Sequence, residues 1–427
     1  MKFRRDRIWQ SLFSALMSPM VLWCLAWNWW RARRYRCNDT AQGIARIFSY
    51  SQVLWDEVWQ RPQELAWRAS TECEFIYFAP VQIHRWLFTL KWRWKPVREI
   101  TNGRRLVVLS PLIFSGHYKS GLIFRINTML EAMAVRPWLR HSPVTSCFIN
   151  TPYSEPLLHH ICSCQGRTRL VYDIIDDFVA YKWAPDFGRE METRLLKTAN
   201  AVITGTRELL EQYSAARPEA EFIPCGVDFD LFNEPVKIAP PELTKLPRPI
   251  IGYFGSISER IDLDLIARIA AAIPDASIVL IGPSHLSSHV LPKAPNIYYA
   301  GLKRHDELPG YAQSFAVGLI PFRLTAATLT LNPVKTLEYL AAGIAVISTA
   351  IPDVERYYSD VVDIARSRDE FISMIRLRLA TVDENRRRKG MERAKEASWD
   401  RMVERMLTKA GIAGQNPIRS VNGGRDA

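Results

Sequence analysis

The feature that most limits how this chain can fold is a recurring one: short, strongly apolar runs with almost no charge, alternating with helical patterns. In the first half these are IARIFSYS (44–51), CEFIYFAP (73–80), RLVVLSP (105–111), TSCFINTP (145–152), LVYDII (170–175) and AVITGT (201–206). In the second half they are PIIGYFGS (249–256), SIVLIGP (277–283), NIYYAG (296–301), VGLIPF (317–322), AVIST (345–349) and VVDIA (361–365). Apolar runs without polar alternation suit strands covered on both faces, and helical separators supply the covers. The chain therefore reads as α/β, with doubly wound, mainly parallel sheets. Between the halves, NEPVKIAPPELTKLPRP is proline-rich and poor in apolar residues, which marks a linker. This gives one domain over 41–234, a linker over 235–247 and a second domain over 248–383, and 427 residues suffice for two cores. Residues 384–410 read as one long charged helix, and 411–427 as a disordered tail.

Ligands of such sheets collect at the carboxyl ends of the strands, so polar residues there are candidates. From Thr330 to Glu355 the pattern predicts a helix over Pro333–Ala342, with Asn332 as N-cap, Pro333 in the first turn and Gly343 as the left-handed stop. Lys335 and Glu338 lie three apart on one face. The start of such a helix can hold a diphosphate, and a carboxylate about 5 Å further along can accept from ribose hydroxyls. The competing reading is a surface Lys/Glu pair worth a few tenths of a kcal/mol. In GYFGSISER, Gly255 and Ser256 form a loop that lets backbone approach phosphate, with Arg260 close behind and a helix opening near Asp262. In the first half, VYDIIDDFVAY places Asp173, Asp176 and Asp177 at a strand end, where carboxylates serve chemistry or cap the next helix. SGHYKSG (115–121) lacks the Gly-Lys-Ser adjacency of a nucleotide-triphosphate loop, which excludes that class and leaves His117 and Lys119 as acceptor-facing candidates.

NPVKTLEYLAAGIAVISTAIPDVE resembles the nucleotide-sugar site of the retaining GT-B-fold glycosyltransferases of the bacterial group filed as family four. That pattern usually carries two glutamates eight apart; Glu338 matches the second, and the first falls on Thr330. Trp55, Asp56 and QRPQEL (60–65) resemble the opening of one subgroup, which makes Arg61 a candidate sugar or anion contact. EFIPCGVDFDLF (221–232) and Trp399 resemble that group's strand exit and its terminal Ser-Trp position. The resemblance implies a GT-B fold, two Rossmann-like domains facing across a cleft, and transfer of a sugar with retention from a nucleotide-sugar donor to a lipid-linked or glycan acceptor. It implies Gly255, Ser256, Arg260, Lys335 and Glu338 at the donor, Asp173 and Asp176 at the catalytic centre, and neither metal nor other cofactor. Two alternatives stay open: a sugar-nucleotide epimerase on the same fold, and a non-catalytic scaffold at a membrane, for which Thr330 and Ser256 argue.

Charge is uneven. Residues 1–36 hold eight basic side chains against Asp6, seven of the net +12. The uncharged run 11–30, with Trp23, Trp27, Trp29 and Trp30 at one end, predicts a hydrophobic helix within a membrane-associating segment over 1–40. Arginines interleaved with Trp and Leu suit an anionic membrane, and no nucleic-acid motif is present. The resulting expectation is a protein on the cytoplasmic face of a bacterial inner membrane, held by residues 1–36. Seven scattered cysteines fit a reducing compartment, and the packed spacing of His159, His160, Cys162 and Cys164 suits a helix face better than a metal.

Overall fold

The computed structural model describes residues 18–35, 44–56, 59–86, 94–139, 143–162, 168–181, 183–236, 238–284, 286–329 and 331–412. Residues 1–17, Cys37, Cys164, Thr330 and the tail beyond 412 lie outside these. Two compact units emerge: residues 1–205, 209–223 and 403–427 form the first, and 206–208 with 224–402 the second.

The first unit is built on strands β1 (Arg46–Tyr50), β2 (Glu74–Phe78), β3 (Val81–Gln82), β4 (Val97–Ile100), β5 (Leu106–Leu109), β6 (Leu112–Ile113), β7 (Ser146–Ile149), β8 (Arg169–Ile174), β9 (Ala201–Thr204) and β10 (Glu221–Phe222). Eight of them form a sheet in the order β10-β9-β8-β7-β1-β2-β5-β4, parallel except for β4. The central strands are buried along their whole length, as their continuous apolar runs require. β4 was not legible in the sequence because an antiparallel edge strand tolerates the charges of VREI. β3 and β6 pair in a two-residue ladder just past the ends of β2 and β5.

An N-terminal helix is present over Ser18–Arg34, but it is not apolar throughout, since Arg31, Arg33 and Arg34 fall in its last turn. Val21, Cys24, Asn28 and Ala32 are buried, and Leu112 N–H donates to Cys24 Sγ at 3.3 Å. The opposite side exposes Leu22, Trp23, Trp27, Trp29 and Trp30. Among the described residues no helix is long and apolar enough to cross a membrane.

The second unit carries β11 (Ile250–Phe254), β12 (Ser277–Ile281), β13 (Ile297–Gly301), β14 (Val317–Ile320), β15 (Ala345–Thr349) and β16 (Asp363–Ala365) in the order β13-β12-β11-β14-β15-β16, all parallel. The expected long C-terminal helix is two helices, Glu384–Glu396 and Trp399–Lys409. The break has a cause: Val227 N–H donates to Ala397 O at 2.9 Å and Trp399 N–H to Val227 O at 3.0 Å, so strand-like pairing replaces helical bonds there. From Val403 on, the second helix belongs to the first unit, where Arg405 Nη2 bonds Glu221 Oε1 at 2.8 Å and Ser146 Oγ donates to Ala410 O at 2.7 Å.

Candidate functional site

In the second unit the site is assembled by one close contact. Gly318 on β14 leaves room for the Tyr339 ring, which a Cβ there would meet at 2.8 Å. Tyr339 is buried and its Oη accepts from Phe254 N–H at 3.0 Å, which fastens its helix to the carboxyl end of β11. That helix runs Lys335–Ala341, shorter than expected at its start. Asn332 does not cap it; the chain enters through a tight turn in which Thr336 N–H bonds Pro333 O and Leu337 N–H bonds Val334 O. A helix of two turns carries a small dipole, so any anion here depends on side chains. Gly343 ends the helix with φ +69°, as its position predicts.

Lys335 is the first residue of this helix and lies against the loop that follows β11. A Cβ on Gly255, whose φ is +135°, would fall 2.9 Å from Tyr253 Oη and 3.0 Å from Lys335 Cε. The Lys335 ammonium stands 5.6 Å from the centroid of the Tyr253 ring and 5.0 Å from that of Phe322. It forms no ion pair or hydrogen bond among the described residues. Burial pushes its pKa down to about 8; Glu338 opposes that shift and Arg260 adds to it. Two aromatic faces thus hold a cation that lacks a carboxylate partner, an arrangement with capacity for an anion.

The surrounding donors divide the work. Gly255 N–H is occupied by Ile281 O at 2.8 Å and Ile257 N–H by Pro283 O at 2.9 Å, while Ser256 N–H between them donates to nothing among the described residues. Gly255 therefore contributes close approach rather than a donor. Arg260 is exposed five residues on. Glu338 does not pair with Lys335, so the surface Lys/Glu reading is overturned. Its Oε1 lies 3.3 Å from Nε2 of His305, whose ring sits edge-on to Phe232. No motif in the sequence singled out His305.

In the first unit two predicted site residues meet each other. Arg61 opens the helix Arg61–Ala69 and donates from Nε to Asp173 Oδ2 at 2.9 Å and from Nη2 to Asp173 Oδ1 at 2.8 Å. Its Nη1 donates to Ile223 O at 2.6 Å, and both side chains are buried. Arg61 and Asp173, expected at the substrate and at the catalytic centre, are thus brought together in one buried pair that ties a helix start to the ends of β8 and β10. Asp176 is half-buried; its Oδ1 accepts from Asp177 N–H at 3.0 Å and its Oδ2 from Tyr181 Oη. Asp177 accepts from Ala180 N–H and Gln212 Nε2, so these carboxylates shape a turn and cap no helix.

His117 is buried beside a cavity of about 250 Å³. Asn127 Nδ2 donates to its Nδ1 at 3.2 Å and to Phe114 O at 2.9 Å, so Nε2 carries the proton and finds no acceptor among the described residues. Burial pushes its pKa down to about 4, leaving a neutral ring at ordinary pH. Lys119 is exposed and does not line the cavity. Gln52, Gln82, Arg85, Tyr118 and Trp183 line it without any sequence motif having marked them. Among the described residues no group of His, Cys, Asp or Glu is placed to hold a metal ion.

No family model matches the chain. A Bacillus subtilis (strain 168) protein named "Putative teichuronic acid biosynthesis glycosyltransferase TuaH" is 24% identical over 223 residues, 48% of this chain and 56% of that protein. The match thus spans little more than half of that relative's length. Among solved structures, sucrose-phosphate synthase from Thermosynechococcus elongatus is similar with a TM-score of 0.66 at 16% identity, over 85% of this chain and 98% of that one. A structure described as trehalose-6-phosphate from E. coli bound with UDP-2-fluoro glucose gives 0.64 at 12% identity, over 86% and 99%. Likeness at these identities defines the fold, which is α/β and GT-B-like.

Proposed function

We propose that this protein is a glycosyltransferase that takes a sugar from a nucleotide-sugar donor bound by the second unit and passes it to a glycan or lipid-linked acceptor bound by the first. The observation that carries the reading is Lys335: a half-buried ammonium between Tyr253 and Phe322, without a carboxylate partner among the described residues, beside a glycine loop with one N–H that they leave unused. Charge on a departing diphosphate is stabilised by donors already in place, here Lys335, Ser256 N–H and Arg260. Glu338 accepts from the ribose hydroxyls, with His305 fixing its carboxylate. Asp176 is the acceptor-side carboxylate, and the Arg61–Asp173 pair positions the strand end that carries it. Retention of configuration and independence from metal are part of the proposal. UDP is the nucleotide of choice for testing, because the trehalose-type neighbour was bound with a UDP sugar.

The N-terminal helix supports an acceptor at an anionic membrane on the cytoplasmic face, in cell-envelope or polysaccharide synthesis; the relative's name places that protein in teichuronic acid biosynthesis. Trp23, Trp27 and Trp30 stack along one side, with centroids 5.8 and 4.9 Å apart. Arg33 and Arg34 lie over Trp29 and Trp30 at 3.5 and 3.9 Å. Exposed indoles beside arginines suit the headgroup boundary of an anionic bilayer.

The test is incubation of the full chain with radiolabelled nucleotide sugars and bacterial lipid extract. Label entering lipid or glycan upholds transfer. A changed sugar still on its nucleotide would identify an epimerase, and absence of nucleotide binding would identify a scaffold; either result defeats the proposal.

A further inference from the structure

The cavity at His117 lies wholly within the first unit and has the composition of a sugar subsite. Its aromatic wall is Tyr118 and Trp183, with centroids 5.2 Å apart; Trp183 stacks on Tyr181 at an interplanar angle of 13° and stays 45% exposed. Such a wall offers a flat apolar face to the C–H side of a pyranose ring. The polar groups around it are mostly donors. Gln82 uses its Oε1 to accept from Gly116 N–H at 3.1 Å, which turns its amide nitrogen outward as a donor. Gln52 spends its Nε2 on Tyr118 Oη and Thr151 Oγ1, at 2.9 and 2.8 Å, which leaves its oxygen as the acceptor. His117 contributes a buried Nε2–H that has no acceptor among the described residues.

Among the described residues that line the cavity, Arg85 carries a positive charge and none is a carboxylate. The positive charges of Arg85 and Lys119 both depress the pKa of neighbouring His84, so their fields overlap here. Glu131 lies behind Tyr50 and acts on Tyr50 and Tyr118, and burial pushes its own pKa up to about 8, which favours its neutral form at pH 7. A donor-rich, cationic pocket with an aromatic wall and room on the order of one ring discriminates by charge as well as shape.

We infer that this cavity is the acceptor's glycosyl subsite and selects a sugar residue bearing an anionic group, a carboxylate or a phosphate ester, with Arg85 on the anion and Trp183 on the ring. The inference rests on the transferase reading for its place in the reaction, but its binding chemistry is testable without it.

The experiment is ligand-observed saturation-transfer NMR with calorimetry on the full chain. The probes are methyl glucuronide, glucose 6-phosphate, methyl glucoside and inorganic phosphate, with UDP titrated in parallel. The expected result is that one or both anionic sugars bind at least about tenfold tighter than the glucoside. A winning glucuronide identifies the carboxylate form and a winning sugar phosphate the ester. Arg85→Gln should reduce the favoured probe to the glucoside's affinity, and Trp183→Ala should weaken every sugar. Equal binding of charged and neutral sugars overturns the inference, as does a preference that survives Arg85→Gln, or inorganic phosphate matching the sugar phosphate. An anionic sugar that binds while UDP does not upholds the cavity and sinks the transferase reading; UDP that binds while no sugar does sinks the cavity alone.

Discussion

Replacing Lys335 by alanine is the sharpest perturbation of the nucleotide site. The wild-type ammonium meets only the faces of Tyr253 and Phe322 and makes no hydrogen bond or ion pair among the described residues, so its removal breaks no ion pair of the folded chain. A charge-assisted bond to a diphosphate is worth about 1.5–3 kcal/mol, so UDP affinity should fall roughly 10- to 150-fold at pH 7. The pH dependence is a second, independent signature. In the free protein the lysine's pKa is lowered to about 8, and a bound diphosphate favours the charged form and raises it. Binding therefore takes up a proton above pH 8, and wild-type affinity should decline towards about tenfold per pH unit there. The variant should lack that slope. Stability has the complementary sign: a depressed lysine pKa penalises the folded state while the unfolded lysine is still charged, so the penalty is full below about pH 8 and fades as pH rises towards the ordinary lysine value. Lys335→Met should thus be at least as stable as wild type at pH 7. Isothermal titration calorimetry between pH 6.5 and 9.5 measures affinity and slope together. Unchanged UDP affinity, or a wild-type slope retained in Lys335→Ala, would refute the reasoning.

Three further outcomes are expected. Asp173→Asn or Arg61→Met leaves one buried charge unpaired and should cost on the order of 3–5 kcal/mol in chemical denaturation, whereas the double variant Arg61→Met/Asp173→Leu should recover much of it; full stability in either single variant would mean the pair does not hold β8. Glu131 has its pKa raised by burial to about 8, so stability should fall as pH climbs from the ordinary carboxyl range to about 8, and Glu131→Gln should flatten that fall by a few kcal/mol in urea melts at pH 6 and 8.5. Full-length protein should float with anionic liposomes while Trp23→Ser/Trp27→Ser/Trp30→Ser stays behind; flotation of both would place the membrane contact elsewhere.

Much of the fold was legible because buried parallel strands announce themselves. IIGYF, SIVLI and AVIST lie in β11, β12 and β15 because both faces of each strand must be apolar. The helix expected to open near Asp262 does so, with the Asp262 carboxylate accepting from Leu265 N–H. The illegible parts depend on partners distant in sequence. Nothing local to RPQEL says that Arg61 will meet an aspartate 112 residues on, nor does ERAKEASWDR say that Val227 will pry the helix open at Ala397. The placement of Lys335 and Glu338 on one helix was readable from spacing. That Glu338 would turn to His305 and leave Lys335 unpaired was not, since a two-turn helix seated by Tyr339 on Gly318 sets those directions. The cavity was the least legible feature, because Gln52, Gln82 with Arg85, and Trp183 come from three separate segments and share no motif.

The most direct measurement is a crystal structure of the full chain with UDP. The account predicts the diphosphate within hydrogen-bond distance of Lys335 Nζ and Ser256 N–H, with the ribose hydroxyls on Glu338. Nucleotide bound away from Lys335, or bound there with its ribose pointing away from Glu338, would contradict it.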